Sequence, residues 1–233
     1  LRDLIPDGHI DIHSHLLPGI DDGAQNIDDT KLLLDGLRGL GYSEFITTPH
    51  VMNGVWENTA RSITQKHQSV IPDLPQDLKF GVAAEYMIDS NFTKLFEKQE
   101  LLTIFDNYVL VEMSYVNPPL HLLDIIFEMQ VAGYRPVLAH PERYNFYHSD
   151  LAAYEKLKHA GCLFQLNLLS VVGYYGPAVA KTAETLLKKG MFDVAGSDVH
   201  HMRHLESFNK KVLIKDLAPL RQTIAGTRRF SSV

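Results

Sequence analysis

The amino-acid sequence predicts an α/β fold in which a parallel sheet closes into a barrel related to the (β/α)8 type. Two observations lead there. Short apolar or alternating runs recur seven times with helically spaced segments between them, and strand–helix alternation on that scale builds parallel sheets covered on both faces. Nearly every run also ends in a histidine or a carboxylate. In a parallel barrel all the carboxyl ends open on one mouth, so closure makes neighbours of residues remote in the chain. An open doubly wound sheet is the alternative, and the absence of a Gly-rich phosphate fingerprint after the first run disfavours it.

The first run, HIDIHSHL at 9–16, carries His13 and His15. Successive side chains of an extended strand alternate faces, so these two project together, with Asp11 on the same face. The loop PGIDDG follows and supplies Asp22. In NIDDTKLLLDGLRGLG, 26–41, Leu33, Leu37 and Leu40 share a helical face and Gly41 is the expected stop. The second run, EFITTPHV, brings His50; the third, KFGVAAEYMI, Glu85; the fourth, YVLVEMSY, Glu112; and the fifth, RPVLAHPERY, His140. The sixth, CLFQLNLLS, brings no such residue, whereas the seventh, FDVAGSDVHH, brings Asp198 and His200. Further helices are expected near 57–71, 90–98, 120–132, 149–160, 177–189 and 206–225, with one domain over 1–233.

A chain of 233 residues, 45% hydrophobic, can bury a substantial core. No apolar run reaches the roughly 18 residues of a membrane span, and the first ten residues lack a secretion signal, so a cytoplasmic protein without direct membrane insertion is expected. A net charge of −6 without a basic tract argues against a nucleic-acid partner. The single cysteine, Cys162, excludes an internal disulfide framework and cysteine-rich zinc sites, so any metal must be held by nitrogen and oxygen.

Charge points to metal as well. Asp22, Glu85, Glu112 and Asp198 would place four negative charges in one pocket, which imidazoles near neutral pH do not reliably neutralise and divalent cations do. Five histidines and four carboxylates are too many for one tetrahedral ion and suit two or three ions sharing bridging carboxylates. Mixed imidazole and carboxylate ligation fits Mn, Fe and Zn alike.

The ordered set DIHSHLLPGIDDGA, TPH, AAEYMI, VLVEMS, AHPERY and GSDVH resembles the PHP (polymerase and histidinol phosphatase) superfamily. More narrowly it is similar to the bacterial metal-dependent protein-tyrosine phosphatases encoded with capsule and exopolysaccharide genes. The resemblance spans roughly 8–201. It implies a distorted (β/α)7 barrel with a trinuclear site held by His13, His15, Asp22, His50, Glu85, Glu112, His140, Asp198 and His200. Arg143 matches the family's phosphate-binding arginine. Relatives place a second arginine about five residues after the last histidine; here Leu205 stands there and Arg203 lies two residues earlier, so Arg203 is the candidate replacement. His201 and His204 are expected not to ligate. The implied partner is a phosphotyrosine-containing protein, the tyrosine-phosphorylated tail of a polysaccharide-assembly kinase.

The chemistry expected is phosphate-monoester hydrolysis. A water bridging two ions loses a proton near neutral pH, since a metal lowers its pKa from about 15.7 to about 7. Arg143 could offer its planar fork to phosphoryl oxygens, and His200 is a candidate proton donor. A tyrosine phenolate, whose conjugate acid has a pKa of about 10, needs little such help. Cys162 is not a phosphatase nucleophile of the C-x5-R kind, because Leu168 stands where the arginine would be; it is expected in the core. Trp56, Tyr174 and Tyr175 are candidate rim residues. Alternatives are a small-molecule phosphatase of the histidinol-phosphate type, a metal-dependent amidohydrolase, which would have eight strands and a bridging lysine, and a non-catalytic metal-binding scaffold.

Overall fold

The computed structural model describes residues 1–98 and 101–231. Among the described residues nine strands and eight α-helices follow one another, beginning with β1 (His9–Asp11), α1 (Ile27–Arg38), β2 (Tyr42–Thr47), β3 (His50–Val51), α2 (Ala60–Val70), β4 (Lys79–Val82), β5 (Glu85–Met87) and α3 (Phe92–Glu97). Then come β6 (Tyr108–Glu112), α4 (Leu122–Val131), β7 (Arg135–Ala139), α5 (Leu151–His159), β8 (Leu163–Asn167), α6 (Pro177–Lys188), β9 (Val194–Gly196), α7 (Met202–Ser207) and α8 (Ala218–Gly226). Among the described residues no helix is long and apolar enough to cross a membrane.

The seven predicted runs are present, but the second and third each divide in two. Pro49 has no N–H to give a ladder, so β2 ends at Thr47 and β3 resumes at His50. The neighbouring run breaks beside it, at Ala83 and Ala84, and the gap is bridged by Ala83 N–H to Thr47 O (2.9 Å) and Glu85 N–H to Pro49 O (3.1 Å). Two parallel sheets result, in the orders β1-β2-β4 and β3-β5-β6-β7-β8-β9. Past the ends of β1 and β9 the first and seventh runs meet: Ser14 forms an isolated parallel bridge with Val199, flanked by Asp198 N–H to His13 O (2.7 Å) and His15 N–H to Val199 O (2.9 Å). The fold is mixed α/β, with seven runs in two parallel sheets arranged as a distorted barrel would have them; the first and seventh runs touch through this one bridge, not a continuous ladder.

Side-chain alternation explains why the mouth is polar and the interior apolar. Ile10, Ile46, Ala83, Leu110, Val137 and Val194 pack together in an inner cluster, with Leu163 against it, so every run contributes. Phe45, Val109, Val111, Leu138, Phe164, Leu166 and Ala195 face the helices in a larger outer cluster with Leu33, Leu37 and Ile63. Because strand side chains repeat every two residues, the inner face that carries Ala83, Leu110 and Val194 next presents Glu85, Glu112 and, two steps on, Asp198.

Helix positions follow their caps. Asn26 accepts from Asp29 N–H at the start of α1, and Thr59 with Ser62 forms a capping box at α2. Helix α1 stops at a Gly39 cap rather than at Gly41, although Gly41 does turn the chain with a φ of +110°. The helix expected over 206–225 is two helices. Leu213 N–H bonds Val171 O (2.8 Å), which ties the intervening non-helical segment to the sixth run, and Pro219 sits in the first turn of α8, where a missing N–H costs nothing.

Gly196, the last residue of β9, is where three runs approach most closely: a Cβ there would lie 2.7 Å from His13 Cβ and 2.7 Å from Gln165 Nε2. Gly196→Ala should therefore destabilise the fold by about 1–3 kcal/mol, the usual cost of overpacking, and displace His13. Urea unfolding together with metal titration checks both parts.

Candidate metal centre

The nine residues expected as ligands converge on the barrel mouth. Glu112 ends β6, while Glu85 and His50 begin β5 and β3. His140 and Asp198 follow β7 and β9 closely, and both adopt left-handed backbone with φ of 36° and 50°. Such conformations cost non-glycine residues of order 1–3 kcal/mol and persist where the surroundings enforce them. At His140 the turn brings in a side chain that simple alternation after Ala139 would send outward. Asp22 comes from the loop after the first run and has the most open side chain, 56% exposed. The donor atoms fall into four overlapping groups: His13, Glu85 and His140; His13, His15 and Asp198; His50, Glu85 and Glu112; and His15, Asp22, His50 and His200.

The imidazoles are oriented from behind. His13 Nδ1 donates to Gln165 Oε1 (2.9 Å), and the Gln165 amide is fixed by Nε2 donating to Leu166 O. His15 Nδ1 donates to Asp21 Oδ2 (2.8 Å), and His200 Nδ1 to the Asp198 carbonyl (2.9 Å). With Nδ1 engaged behind, each ring turns its Nε2 into the mouth, where His13 Nε2 and His15 Nε2 lie 3.4 Å apart. Partners of this kind on the far ring nitrogen are how proteins orient metal-binding histidines.

The donor set fits a metal cluster on two counts. Several buried atoms lack a well-aligned hydrogen bond, and three of them are ligand candidates crowded against one another: His50 Nδ1 lies 2.8 Å from Glu112 Oε1 and 3.2 Å from Glu85 Oε2. Such atoms in a folded interior require another partner. Glu85 Oε2 lies 3.2 Å from His13 Nε2, 3.4 Å from His15 Nε2 and 3.2 Å from His50 Nδ1, and Asp198 Oδ1 lies 3.2 and 3.4 Å from the first two. Metal bonds of about 2.0–2.2 Å set ligand–ligand separations of about 3–3.5 Å, the range found here.

Electrostatics tie the carboxylates to the histidines. Burial alone would lower His13 and raise Glu85 and Asp198; their mutual attraction outweighs it, lifting His13 to about 10 and holding both carboxyls well below their usual range. His15 is likewise raised by Asp21 against its burial. Glu112 moves up, through burial and the charge of Glu85. His140 falls to about 4, through burial and Arg143.

Above the cluster is a cleft of about 640 Å³. Arg143, on the short 3-10 turn after β7, donates from Nη1 to Asp198 Oδ2 (2.8 Å). Its guanidinium lies 4.1 Å from the Tyr175 ring centroid and 4.9 Å from that of Tyr115. Trp56 lines the cleft from a tight turn, Met52 to Trp56, that precedes α2 rather than starting it. Tyr174 is not part of the lining; it packs edge-on against His204. Arg203 departs from expectation: it lines a neighbouring groove with Leu32 and Asp29, not the cleft over the cluster. At position 205 an arginine has no room, because Leu205 is buried against Gly36 of α1. His201 and His204 border the cleft but join none of the four donor groups. Cys162 is buried and its thiol pushed up to about 12 by burial, so it is no nucleophile.

Several residues at the site lie outside the set expected from the sequence. Asp21, next to the expected Asp22, holds both His15 Nδ1 and His50 N–H (3.1 Å). Gln165 and Asn167 of β8 give the sixth run its part, and Tyr115 flanks Arg143. Asp11 does not reach the cluster; its carboxylate accepts from Ser197 N–H (2.9 Å) and Ser197 Oγ (2.6 Å). It pins the first run to the seventh.

Residues 9–208 match the family model described as capsular polysaccharide synthesis, CpsB/CapC. The chain belongs to the CpsB/CapC family. It is 27% identical over 200 residues to the tyrosine-protein phosphatase YwqE of Bacillus subtilis (strain 168), covering 83% of this chain and 78% of YwqE. Among solved structures it is similar to one from the study of YwqE of Bacillus subtilis and CpsB of Streptococcus pneumoniae, described as metal-dependent tyrosine phosphatases. The TM-score is 0.75 at 26% identity, over 85% of this chain and 83% of that one. A lactonase from Listeria monocytogenes shares the fold, with a TM-score of 0.53 at 10% identity over 89% and 84% of the two chains.

Asp21→Asn keeps the shape but removes the charge behind His15, and should weaken metal binding about 10- to 100-fold, the usual effect of losing such a partner, measured by titration of metal-stripped protein. A His13 lifted to about 10 holds a proton at pH 7, and a metal must displace it. Metal binding at pH 7 should therefore release protons, and affinity should rise with pH as His13 gives up its proton more easily; calorimetry in buffers of different ionisation enthalpy measures the release.

Proposed function

We propose that this CpsB/CapC chain is a metal-dependent protein-tyrosine phosphatase that hydrolyses phosphotyrosine with two or three divalent ions, of the Mn, Fe or Zn class, held by the nine residues at the mouth. The observation that carries the proposal is the convergence of nine histidine and carboxylate side chains in four overlapping donor groups beneath a cleft that also presents Arg143. The matched relatives named as tyrosine-protein phosphatases support it.

Glu85 belongs to two of the donor groups, as do His13, His15 and His50, an arrangement suited to ions that share ligands. When bound, the ions would supply positive charge to phosphoryl oxygens and make water acidic enough to attack at neutral pH. Arg143 is the cation that this chain itself provides. Its guanidinium stays charged, with the Asp198 carboxylate beside it offsetting its burial, and its remaining N–H groups can meet charge growing on equatorial oxygens. His200 is held well below its ordinary pKa by burial and the nearby His15. A ring that holds no proton near pH 7 serves better as a ligand than as an acid, and a phenolate leaving group needs no strong acid.

Trp56 and Tyr115 give the cleft aromatic walls for an aryl ring. The substrate inferred is a phosphotyrosyl protein, a tyrosine kinase of polysaccharide assembly, met in the cytoplasm. The amidohydrolase alternative lacks its bridging lysine: the fourth run supplies Glu112, and no lysine is found among the described residues lining the cleft.

Turnover of a phosphotyrosyl peptide and of histidinol phosphate, with metal content measured alongside, tests the proposal. Arg143→Ala should retain its ions and lose about 10²- to 10³-fold in turnover, the usual effect of removing one transition-state donor. Glu112→Gln should lose both ions and activity. Full activity in metal-stripped protein contradicts the mechanism, and preference for histidinol phosphate contradicts the substrate.

A further inference from the structure

The sixth run is the one that brings no charged residue to the mouth, yet its end is fully engaged there. Asn167, the last residue of β8, donates from Nδ2 to Asp198 Oδ2 (2.7 Å) and to the Tyr175 hydroxyl (3.0 Å). The amide cannot be reversed without loss, because Asn167 Oδ1 accepts from Leu169 N–H (2.9 Å). Arg143 Nη1 donates to the same Asp198 oxygen (2.8 Å), and the Tyr175 ring lies 4.1 Å from the Arg143 guanidinium. These contacts close a circuit: Tyr175 ring, Arg143, Asp198, Asn167 and back to the Tyr175 hydroxyl.

Tyr175 is delivered by a short loop between two glycines in left-handed conformation, Gly173 (φ +75°) and Gly176 (φ +95°). The loop is tied down by Tyr174 N–H to Leu169 O (3.2 Å) and Gly176 N–H to Gly173 O (3.1 Å). Tyr115, the other ring near Arg143, is 42% exposed and its guanidinium contact is longer, at 4.9 Å. Tyr175 is therefore the anchored platform.

We propose that Tyr175 is a positioning residue for phosphoryl transfer to water, acting through Arg143. Arginine is a long, flexible side chain ending in a planar head. A ring face under that head restrains it while leaving its edge N–H groups free to point at phosphoryl oxygens, and the Asn167 bond to the hydroxyl steadies the ring. Without the ring, Arg143 keeps its charge and its Asp198 contact but loses its fixed plane. The inference rests on the phosphatase reading above and goes further in saying what prepares the arginine.

The test is steady-state turnover of a phosphotyrosyl peptide by metal-loaded protein, with bound metal measured in the same samples, for wild type, Tyr175→Leu, Tyr175→Phe, Arg143→Ala and Arg143→Ala with Tyr175→Leu. Tyr175→Leu should lower kcat about 10- to 100-fold, the scale of a misplaced catalytic group, with metal content unchanged. Tyr175→Phe, which keeps the ring and drops the Asn167 bond, should recover most of that loss. In the Arg143→Ala background Tyr175→Leu should cost nothing more, since residues acting as a unit are not additive. Wild-type turnover in Tyr175→Leu, a full additional loss in the Arg143→Ala background, or loss of metal in both Tyr175 variants would each overturn the positioning role. If the wild type itself fails to turn over the peptide, it is the phosphatase reading that falls.

Discussion

Buried carboxylates and imidazoles that face one another across the barrel mouth are the interaction on which the rest of the structure depends. Glu85, Glu112 and Asp198 are almost wholly shielded from water, and an isolated buried carboxylate is costly enough to protonate or to disrupt its surroundings. Here the compensating charge is close: His13, His15 and His50 around Glu85, and His13, His15 and Arg143 around Asp198. Protons on the histidines can balance the site, and on the reading proposed above divalent ions would balance it in their place. The same arrangement that makes the metal-free mouth tolerable suits it to hold cations.

The barrel exists to bring those groups together. Its interior is apolar below, where Ile10, Ile46, Leu110, Val137 and Val194 interlock, and lined by histidines and carboxylates above, where the same strand faces reach the mouth. Closure is weakest between the first and seventh runs, and there the chain uses specific bonds in place of a ladder: the Ser14 bridge to Val199, and Asp11 gripping Ser197. His13 and Asp198 stand on opposite sides of that seam, with Nε2 and Oδ1 3.2 Å apart. Stability and metal geometry are thus coupled at one place, which also carries the close approach at Gly196.

Much of this is legible in the chain because period-two alternation is a strong signal and charged residues at strand ends are conspicuous. Alternation and strand order alone place His50, Glu85 and Glu112 on one mouth, and Arg143 comes with the AHPERY stretch. Asp21 is hidden because it is the same residue type as its neighbour Asp22, and only burial distinguishes the one that braces His15 from the one that is open to solvent. Gln165 and Asn167 alternate with Phe164 and Leu166, which puts both on one face of the run, but as uncharged amides they do not mark a charged site; their roles appear only when three strands are side by side. The break at Pro49, which splits two runs between sheets, and the non-helical segment before Pro219, which splits the last helix, are tertiary choices that local periodicity does not encode. Arg203 shows the converse: a resemblance at the level of residue type does not survive when Leu205 fills the space and the arginine faces another groove.

Anomalous diffraction from crystals grown with Mn²⁺ is the most direct measurement of the central claim, that the mouth is an assembled metal cluster. The account predicts at least two peaks among the four donor groups, each at about 2.0–2.3 Å from histidine nitrogens and carboxylate oxygens, with Glu85 shared between ions. Crystals that show Glu85, Glu112 and Asp198 turned away from one another, with the manganese bound elsewhere, would contradict it.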